Sequence, residues 1–347
     1  MNSIIHAAID LNAINSNLSI VRAKAPTSKV MAVIKADAYG HGAVAVAKHI
    51  SPVDSFGVAR VEEGKELRDA GIDAPIVILE GFLNAQELNA SEHLGLDVVV
   101  HSEHQLALLS QGSFSGGIWV KVTTGMNRLG FSLSSLEEVL DKLASQKIIG
   151  IMSHLASADS DPAMTRQQVS SFYETANKFN LPLSIANSAG ILDFPASHLD
   201  WVRPGLMLYG ASPFSQLNAD LHAAMTFSAP IIAINKLTIG QSVGYGGTWV
   251  APRNCRVAVL AVGYADGYPR EIFNGSVALG DVRRNIVGRV SMDMICVELD
   301  DHDDVSVGDE AVLWGIGLPI EEVATMARTI PYTLMCGVGK RVRRNYL

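Results

Sequence analysis

Short apolar runs alternate with amphipathic stretches from Lys29 to about Leu208. The eight runs are Val30–Ile34, Phe56–Ala59, Ile76–Leu79, Asp97–Val100, Ile118–Val122, Ile148–Ser153, Leu183–Ala186 and Leu206–Tyr209. Amphipathic stretches between them include Val61–Ala70, Glu103–Leu109, Leu136–Ala144 and Arg166–Phe179. Their length and flanking turns favour strands over buried helix segments. Eight strands alternating with helices predict an α/β fold, a parallel (β/α)8 barrel of the TIM type.

The pattern changes after about Leu221. Six β-like segments follow, separated by Gly, Asp and Asn, and a helical pattern returns only at Glu321–Met326. The segments are Ala229–Ile234, Arg256–Val262, Ser276–Leu279, Ile286–Val287, Ile295–Glu298 and Ala311–Leu313. A chain of 347 residues is long enough for two domains. We therefore predict a barrel domain over residues 1–223 and a mostly-β domain over residues 224–347.

A single lysine, Lys35, stands at the end of the first predicted strand, before an alanine-rich helix from about Ala43. Burying an unpaired ammonium costs free energy, so lysine is a poor choice for a packed interior. A desolvated lysine has a lowered pKa and can form a Schiff base with a carbonyl cofactor. The strand pattern alone leaves open whether Lys35 is such a nucleophile or extends into solvent.

Composition and charge exclude several classes of protein. The net charge of −8 provides no basic surface for nucleic acid. The short basic tail, formed by Lys340, Arg341, Arg343 and Arg344, is better explained as a solvated or interface-paired strand end than as a nucleic-acid surface. Three scattered cysteines lack metal-ligand spacing and fit a reducing compartment, so we expect no metal site. We also expect no signal peptide and no membrane span, and hence a cytoplasmic protein.

The segment VIKADAYGHG at 33–42 resembles the lysine segment of the alanine racemase family, which binds pyridoxal 5'-phosphate (PLP). Further blocks match in family order along nearly the whole chain, which makes the resemblance specific. They are WVKVTTGMNRLG at 119–130, HLA at 154–156, ANSAG at 186–190, VRPGLMLYG at 202–210, GYG at 244–246, GYADGYPR at 263–270, GRVSMD at 288–293 and IPY at 330–332.

The resemblance implies a homodimer that interconverts L-alanine and D-alanine and supplies D-alanine for peptidoglycan. It implies the same barrel followed by a mostly-β domain. It also implies that the first strand, about residues 4–10, pairs with the second domain.

By the same resemblance, Lys35 and Tyr245 are the two catalytic bases, with Tyr245 supplied by the partner subunit. Two bases on opposite faces let a racemase remove the α-proton from one side and return one to the other. A free tyrosine has a pKa of about 10, so it needs nearby positive charge or hydrogen bonds to act near neutral pH. Local sequence alone favours an aromatic residue in a glycine-flanked turn, and the matched Gly244-Tyr245-Gly246 context reverses that preference.

The resemblance assigns the remaining PLP contacts to residues that match motif positions of the family. Arg203 faces the pyridine nitrogen, and His154 lies beside Arg203 and the ring. Guanidinium does not deprotonate in proteins, so the nitrogen stays largely unprotonated. The other cofactor residues are Tyr39, Asn187, Ser188, Gly205, Leu206 (through its backbone N–H) and Tyr332. Without the resemblance, Arg203 could be a loop charge, and Asn187 an ordinary helix cap.

For the substrate carboxylate the resemblance indicates Arg128 and the backbone N–H of Met292. Lys121 matches a lysine that is carbamylated in many relatives and orients this arginine. Thr123 stands where relatives often carry Asp, and Thr333 where they often carry Glu. Because of the threonine at position 123, the sequence leaves open whether Lys121 is carbamylated and which hydrogen bonds surround it.

The resemblance also implies a narrow, tyrosine-lined entrance that favours a small amino acid. Its residues are Tyr264, Arg270, Arg289 and Asp293, together with Tyr332. Packing at an interface is an equal alternative for Tyr264 and for the arginines.

Three other functions are compatible with part of the pattern. A racemase for serine, lysine, arginine or a broad set of amino acids is the first, although such relatives tend to be exported. A non-catalytic PLP carrier would lack the second domain. A fold-related decarboxylase usually places an acid, rather than Arg203, opposite the pyridine nitrogen.

Overall fold

The computed structural model describes residues 5–112, 114–300 and 302–347. These residues form two compact units. The barrel unit comprises Ile14–Leu208 and Ser212–Leu221, and the strand-rich unit comprises the described residues up to Ala13, Tyr209–Ala211 and His222–Leu347.

Eight parallel strands close into a barrel in the barrel unit. Barrel strands one to eight are Lys29–Val33, Ser55–Val58, Ile76–Ile78, Asp97–Val100, Ile118–Lys121, Ile148–Met152, Leu183–Ser184 and Trp201–Val202. The barrel closes where Lys29 pairs with Trp201 and Val30 with Val202. The predicted (β/α)8 architecture is confirmed.

Helices follow most of these strands. Helix Leu11–Lys24 precedes strand one, and Lys35–Tyr39 is a short turn in which Ala36, Asp37 and Ala38 are left-handed. The helices that follow strands are Ala43–His49, Val61–Asp69, Ala85–His93, Glu103–Leu109, Leu136–Lys142, Pro162–Ala176 and Ser188–Asp193. Asn84, Ser102 and Asp161 cap three of them by accepting backbone N–H groups, as expected of N-cap side chains. No helix in the described ranges has both the length and the apolar surface needed to cross a bilayer.

The eighth predicted strand, Leu206–Tyr209, is wrong. These residues form a 3-10 helix, and the eighth strand is the earlier pair Trp201–Val202. The run is buried on all sides, and such a run does not reveal its secondary structure through periodicity. Arg203 therefore directly follows a strand, at the end of the barrel where this fold carries its active sites.

The barrel interior is filled by large side chains. Met31, Val77, Val99, Trp119 and Met152 come from five of the strands and form one buried cluster. A Cβ at Gly150 would lie 2.3 Å from the Trp119 ring, so only glycine leaves room for this indole. The packed interior gives the strand ends a rigid base.

The strand-rich unit contains one eight-stranded sheet. In spatial order its strands are Cys255–Leu260, Ile295–Leu299, Val282–Val287, Ser276–Leu279, Glu310–Trp314, Met225–Leu237, His6–Ile9 and Arg343–Tyr346. A small ribbon joins Ser242–Val243 to Trp249–Val250. Helices Ile320–Met326 and Pro331–Gly337 and the 3-10 turns Tyr245–Gly247 and Tyr264–Asp266 complete the unit. The mostly-β character predicted for this part of the chain is confirmed.

The first strand, His6–Ile9, lies in this sheet. It pairs antiparallel with Met225–Leu237 and parallel with Arg343–Tyr346. The sheet is therefore assembled from both ends of the sequence. Position 4, the start predicted for this strand, lies outside the described residues.

Candidate active site

Basic side chains gather where the barrel strands end. Lys35 follows strand one, Lys121 ends strand five, His154 follows strand six and Arg203 follows strand eight. Arg128 lies on the loop after strand five. Because the carboxyl ends of parallel strands meet at one end of the barrel, these residues share one face.

The segment after Lys35 is a left-handed turn. Ala36, Asp37, Ala38 and Tyr39 all have φ between 52° and 54°. L-residues lose about 1–2 kcal/mol each in this conformation. Side chains hold the turn, because Ala36 N donates to Glu63 Oε1 at 2.7 Å and Ala43 N donates to Asp37 Oδ1 at 2.7 Å. Such strain persists where surrounding structure enforces it, often at functional sites.

Ser188, Tyr39 and Gly205 form a cradle at the end of strands seven and eight. The Ser188 Oγ accepts from Gly205 N at 3.1 Å and from Met207 N at 3.2 Å. A hydroxyl has two lone pairs and one proton, so these bonds leave Ser188 only a donor. A Cβ at Gly205 would lie 2.5 Å from the Tyr39 hydroxyl. Two hydroxyls and the nearby Leu206 backbone suit a phosphate, and Asn187 caps the adjoining helix through Gly190 N.

Arg203 is buried and fixed from several sides. One terminal nitrogen donates to Ser184 Oγ, and the other donates to Ser153 O at 2.5 Å and to Ile185 O at 3.5 Å. Burial lowers the pKa of the guanidinium to about 10, so Arg203 stays charged at neutral pH. The structure therefore presents a permanent cation inside the barrel mouth.

The neighbouring groups respond to one another's charge. Burial, then the positive charges of Arg203, Arg128 and Lys35, lower the pKa of Lys121 to about 8. Burial, followed by the charges of these cations and of Lys121, holds the pKa of His154 well below its ordinary value, so its imidazole is neutral at pH 7. We call Lys35, Lys121, Arg128 and Arg203 the cation cluster.

The cation cluster suits an anionic ligand. Glu80 is the carboxylate that offsets part of the charge felt by Lys121, and Glu80 also pairs with Arg60 at 3.7 Å. A phosphate-bearing cofactor together with a carboxylate substrate would supply the missing negative charge, and the donor-only hydroxyl of Ser188 fits a phosphate oxygen. Among the described residues, no group of three or more metal-binding side chains occurs.

The loop that carries Arg128 is closed by Thr123. Thr123 N donates to Phe131 O at 2.8 Å, and Phe131 N donates back to Lys121 O at 2.9 Å. The Thr123 hydroxyl accepts from Asn127 N at 2.9 Å and donates to Asn127 Oδ1 at 3.1 Å. Threonine thus organises this loop through its hydroxyl at the position where relatives often carry Asp.

In the strand-rich unit, Arg341 ties together two segments that carry predicted site residues. Its guanidinium donates to both Asp266 oxygens, at 2.5 and 3.0 Å, and to Asp293 Oδ1 at 2.6 Å. Tyr264 N and Ala265 N donate to the backbone of the Ser291–Met292 segment, at 3.1 and 3.0 Å. Tyr264, Met292 and Asp293 are therefore neighbours.

The structure also shows where the other predicted site residues of the strand-rich unit lie. Tyr245 lies on a turn with Gly244, Gly246 and Gly247, all at positive φ, and 73% of its side chain is exposed. Gly246 faces the Arg289 guanidinium, because a Cβ there would lie 3.9 Å from it. Arg270 is exposed after the Tyr264–Asp266 turn, and Tyr332 is on the helix Pro331–Gly337.

A groove of about 530 Å³ lies among the loops after strands two to five, and neither Lys35 nor Arg203 lines it. Its polar lining is already paired: His101 Nε2 contacts Glu80 O at 3.0 Å, and His104 Nε2 contacts Leu83 O at 2.7 Å. We therefore place the chemistry at the cation cluster, where positive charge is only partly offset.

Several residues of the site were missed by the sequence analysis. They are Glu63, Ser153, Ser184, Gln168, Asp266 and Arg341, which hold the predicted residues in place. Their partners lie far away in sequence, for example 27 positions from Glu63 to Ala36 and 75 from Arg341 to Asp266. The capping position of Glu63 was the one local signal available.

The fold and the cation cluster define a class of protein: a (β/α)8-barrel enzyme with a site for an anionic cofactor. Comparison with known proteins identifies the family. The alanine racemase N-terminal domain family matches residues 9–213, and the alanine racemase C-terminal domain family matches residues 224–346. The chain belongs to the alanine racemase family.

Individual relatives agree over the full length of the chain. The alanine racemase of Nitrosococcus oceani is 45% identical over 349 residues, covering 97% of this chain and 98% of that protein. The crystal structure of biosynthetic alanine racemase from Pseudomonas aeruginosa has a TM-score of 0.94 at 38% identity, with both chains fully covered. The Bartonella henselae enzyme, solved with covalently bound pyridoxal phosphate, has a TM-score of 0.92 at 30% identity, again with full coverage.

Proposed function

We propose that this chain interconverts L-alanine and D-alanine with PLP as its cofactor. Relatives of matching length in both comparisons are alanine racemases, and the family prediction is thereby confirmed. The observation that carries the proposal is the cation cluster beside the donor-only hydroxyl of Ser188. A phosphate and an amino-acid carboxylate are the anions that such a site accommodates.

Each barrel residue then has a specific task. Lys35 would hold the cofactor aldehyde, Ser188 and Tyr39 its phosphate, and Arg203 its pyridine nitrogen. When bound, PLP withdraws electrons from the substrate α-carbon and so makes the α-proton removable. Arg203 keeps its own proton, which makes this withdrawal weaker than with an acid partner and favours return of the proton over transamination. Arg128 suits the substrate carboxylate because guanidinium can donate two parallel hydrogen bonds.

Two bases move the proton in this proposal. Lys35 serves the α-proton of D-alanine, and Tyr245 of the partner subunit serves that of L-alanine. The 73% exposure of Tyr245 in the single chain supports a role toward a second copy. We therefore propose a homodimer with shared active sites, in which Met292 binds the carboxylate and Tyr264, Arg270, Arg289, Asp293 and Tyr332 line the entrance.

Lys121 is a candidate for carbamylation. Its pKa of about 8 leaves a fraction of the amine neutral near neutral pH. The neutral amine can attack CO₂, forming a carbamate and releasing one proton. The resulting anion would offset the charge of Arg128 and Arg203. Mass spectrometry of the intact protein in bicarbonate buffer, compared with Lys121→Met, checks this proposal.

A panel assay tests the proposed activity directly. The PLP-loaded protein is incubated with single L-amino acids, and chiral chromatography measures the D-enantiomer formed. We expect alanine to have the highest kcat/KM. Faster racemisation of serine, lysine or arginine would overturn the substrate assignment.

Subunit mixing tests the shared site. Tyr245→Phe and Lys35→Ala proteins are each expected to be inactive, and a heterodimer of the two would contain one intact site and one doubly altered site. Activity should return to at most half of wild type per heterodimer. If exchange of subunits is verified and activity stays absent, both bases come from one chain.

We further propose supply of D-alanine to peptidoglycan synthesis and a location in the cytoplasm. The odd number of scattered cysteines supports a reducing compartment. We also propose domains over residues 1–223 and 224–347, with the first strand assigned to the second. The pairing of His6–Ile9 with Met225–Leu237 supports that assignment.

A further inference from the structure

Gln168 is a buried amide on the helix Pro162–Ala176, on the outer layer of the barrel unit, yet it points toward the active-site loops. It is 1% exposed. Its Oε1 accepts from Ala156 N at 2.9 Å, and its Nε2 donates to Thr124 Oγ1 at 3.0 Å and to His154 O at 3.3 Å. One side chain therefore joins the loops that follow strands five and six.

The orientation of this amide is fixed by its partners. Ala156 N can only donate, so it must face the amide oxygen. His154 O can only accept, so it must face the amide nitrogen. Reversing the amide would break both contacts. No other side chain of similar length offers one acceptor and two donors in this arrangement.

The hydrogen bonds continue from Gln168 into the cation cluster. Because Thr124 Oγ1 accepts from Gln168, its own proton is available for Ser153 Oγ, which lies 3.0 Å away. The Ser153 carbonyl accepts from Arg203 at 2.5 Å. Thr124 also lies four residues before Arg128, on the loop closed by Thr123 and Phe131. Gln168 thus contacts, directly or through Thr124, the backbone segments that carry Arg128 and His154 and that hold Arg203.

We propose that Gln168 is a positioning residue for the racemase site, which sets the loops carrying Arg128 and His154 and the backbone acceptor of Arg203 in one arrangement. This inference rests on the proposed function. Gln168 touches neither substrate nor cofactor in this account. Its effect is transmitted by Thr124 and by the backbone at Ser153, His154 and Ala156.

Gln168→Met tests the proposal, because it keeps the length of the side chain and removes the amide. Gln167→Met is the matched control, since Gln167 is exposed on the same helix. We expect kcat/KM for alanine to fall about 100-fold in Gln168→Met, as for a small displacement of reacting groups. We expect KM to rise and the dissociation constant of PLP, titrated into cofactor-stripped protein, to increase. Gln167→Met should match wild type in all three quantities.

A second pair of variants tests the route through Thr124. Thr124→Val removes the hydroxyl at constant shape and should lower kcat/KM about tenfold. Thr124→Ser keeps the hydroxyl and should stay within about threefold of wild type. The double variant Gln168→Met/Thr124→Val should have the same kcat/KM as Gln168→Met alone, because the effects of linked residues are not additive.

The outcomes separate this inference from the proposed function. The inference would be overturned if wild type is active and both Gln168→Met and Thr124→Val keep kcat/KM within about threefold of the wild-type value. This holds even if the melting temperatures of the two variants fall. A fully additive double variant would overturn the route through Thr124. If Gln168→Met does not fold, the Thr124 variants decide. If wild type racemises no alanine, the proposed function is wrong. In that case the PLP titration still tests the inference, because an unchanged PLP dissociation constant in the variants would contradict it.

Discussion

Positive charge is treated in opposite ways at the active-site end of the barrel unit and in the strand-rich unit. In the barrel unit, burial and neighbouring cations lower the pKa values of Lys121 and His154, and burial lowers that of Arg203. In the strand-rich unit, hydrogen bonds donated to carboxylates raise the pKa of Arg341, where Asp266 contributes most, and of Arg284, where Asp303 contributes most. Burial therefore destabilises the charged form of arginine at Arg203, whereas hydrogen-bonded carboxylates stabilise it at Arg341 and Arg284.

This difference distinguishes cations that bind a ligand from cations that stabilise the fold. Paired arginines in the strand-rich unit fix segments, as Arg341 fixes the turn of Tyr264 and the loop of Asp293. Uncompensated cations in the barrel unit are unfavourable by themselves. Such a cluster is retained where a ligand provides the opposite charge, and functional sites commonly break the rules that the rest of a protein obeys. The barrel unit is accordingly the one we expect to respond most to its ligand.

Lys35→Ala should give the largest effect on activity. Loss of the residue that binds the cofactor and moves a proton should lower kcat by more than about 10³-fold. In the cofactor-free protein the melting temperature should not fall, because the variant removes one charge from a repelling cluster. Lys48→Ala, an exposed lysine on the helix Ala43–His49, is the control. Retention of a tenth of wild-type activity would contradict the role of Lys35.

Asp266→Ala should instead act on stability. Its buried carboxylate accepts from Gly263 N at 2.9 Å and from Arg341, so the variant leaves a buried N–H without its acceptor. A loss of about 1–3 kcal/mol in the free energy of unfolding is expected. Urea denaturation measures it, with the exposed Asp281→Ala as control. KM should rise through the displaced Met292 loop. An unchanged free energy of unfolding would show that the ion pair of Asp266 and Arg341 does not stabilise the strand-rich unit.

Lys121→Met should give the smallest effect, and one that depends on pH. The folded-state pKa of about 8 lies below the ordinary value of 10.5, so the unfolded chain binds the proton more tightly. Charged Lys121 therefore destabilises wild type below pH 8, and this penalty is lost between about pH 8 and 10.5. In bicarbonate-free buffer the variant should be more stable than wild type at pH 7, with the difference shrinking as pH rises. A difference that is constant with pH would refute the assignment.

Local patterns predicted the elements of the fold well, because apolar periodicity marks strands that are buried. Seven barrel strands begin and end within two residues of their predicted bounds. The eighth failed since Leu206–Tyr209 is buried without being extended. The left-handed turn after Lys35 could not be predicted, because residues 36–39 include no glycine. The contacts of Gln168, Glu63 and Arg341 join distant parts of the chain, and only the folded structure reveals them.

Covalent mapping of the cofactor lysine tests the central claim most directly. Lys121 is a genuine competitor for the PLP aldehyde, because its lowered pKa makes its amine available. Sodium borohydride treatment of the PLP-loaded protein fixes the cofactor on the lysine it has reacted with, and peptide mass spectrometry locates it. We predict the adduct on Lys35, in the peptide that contains Tyr39. An adduct on Lys121, or on any other lysine, would contradict the account of this site.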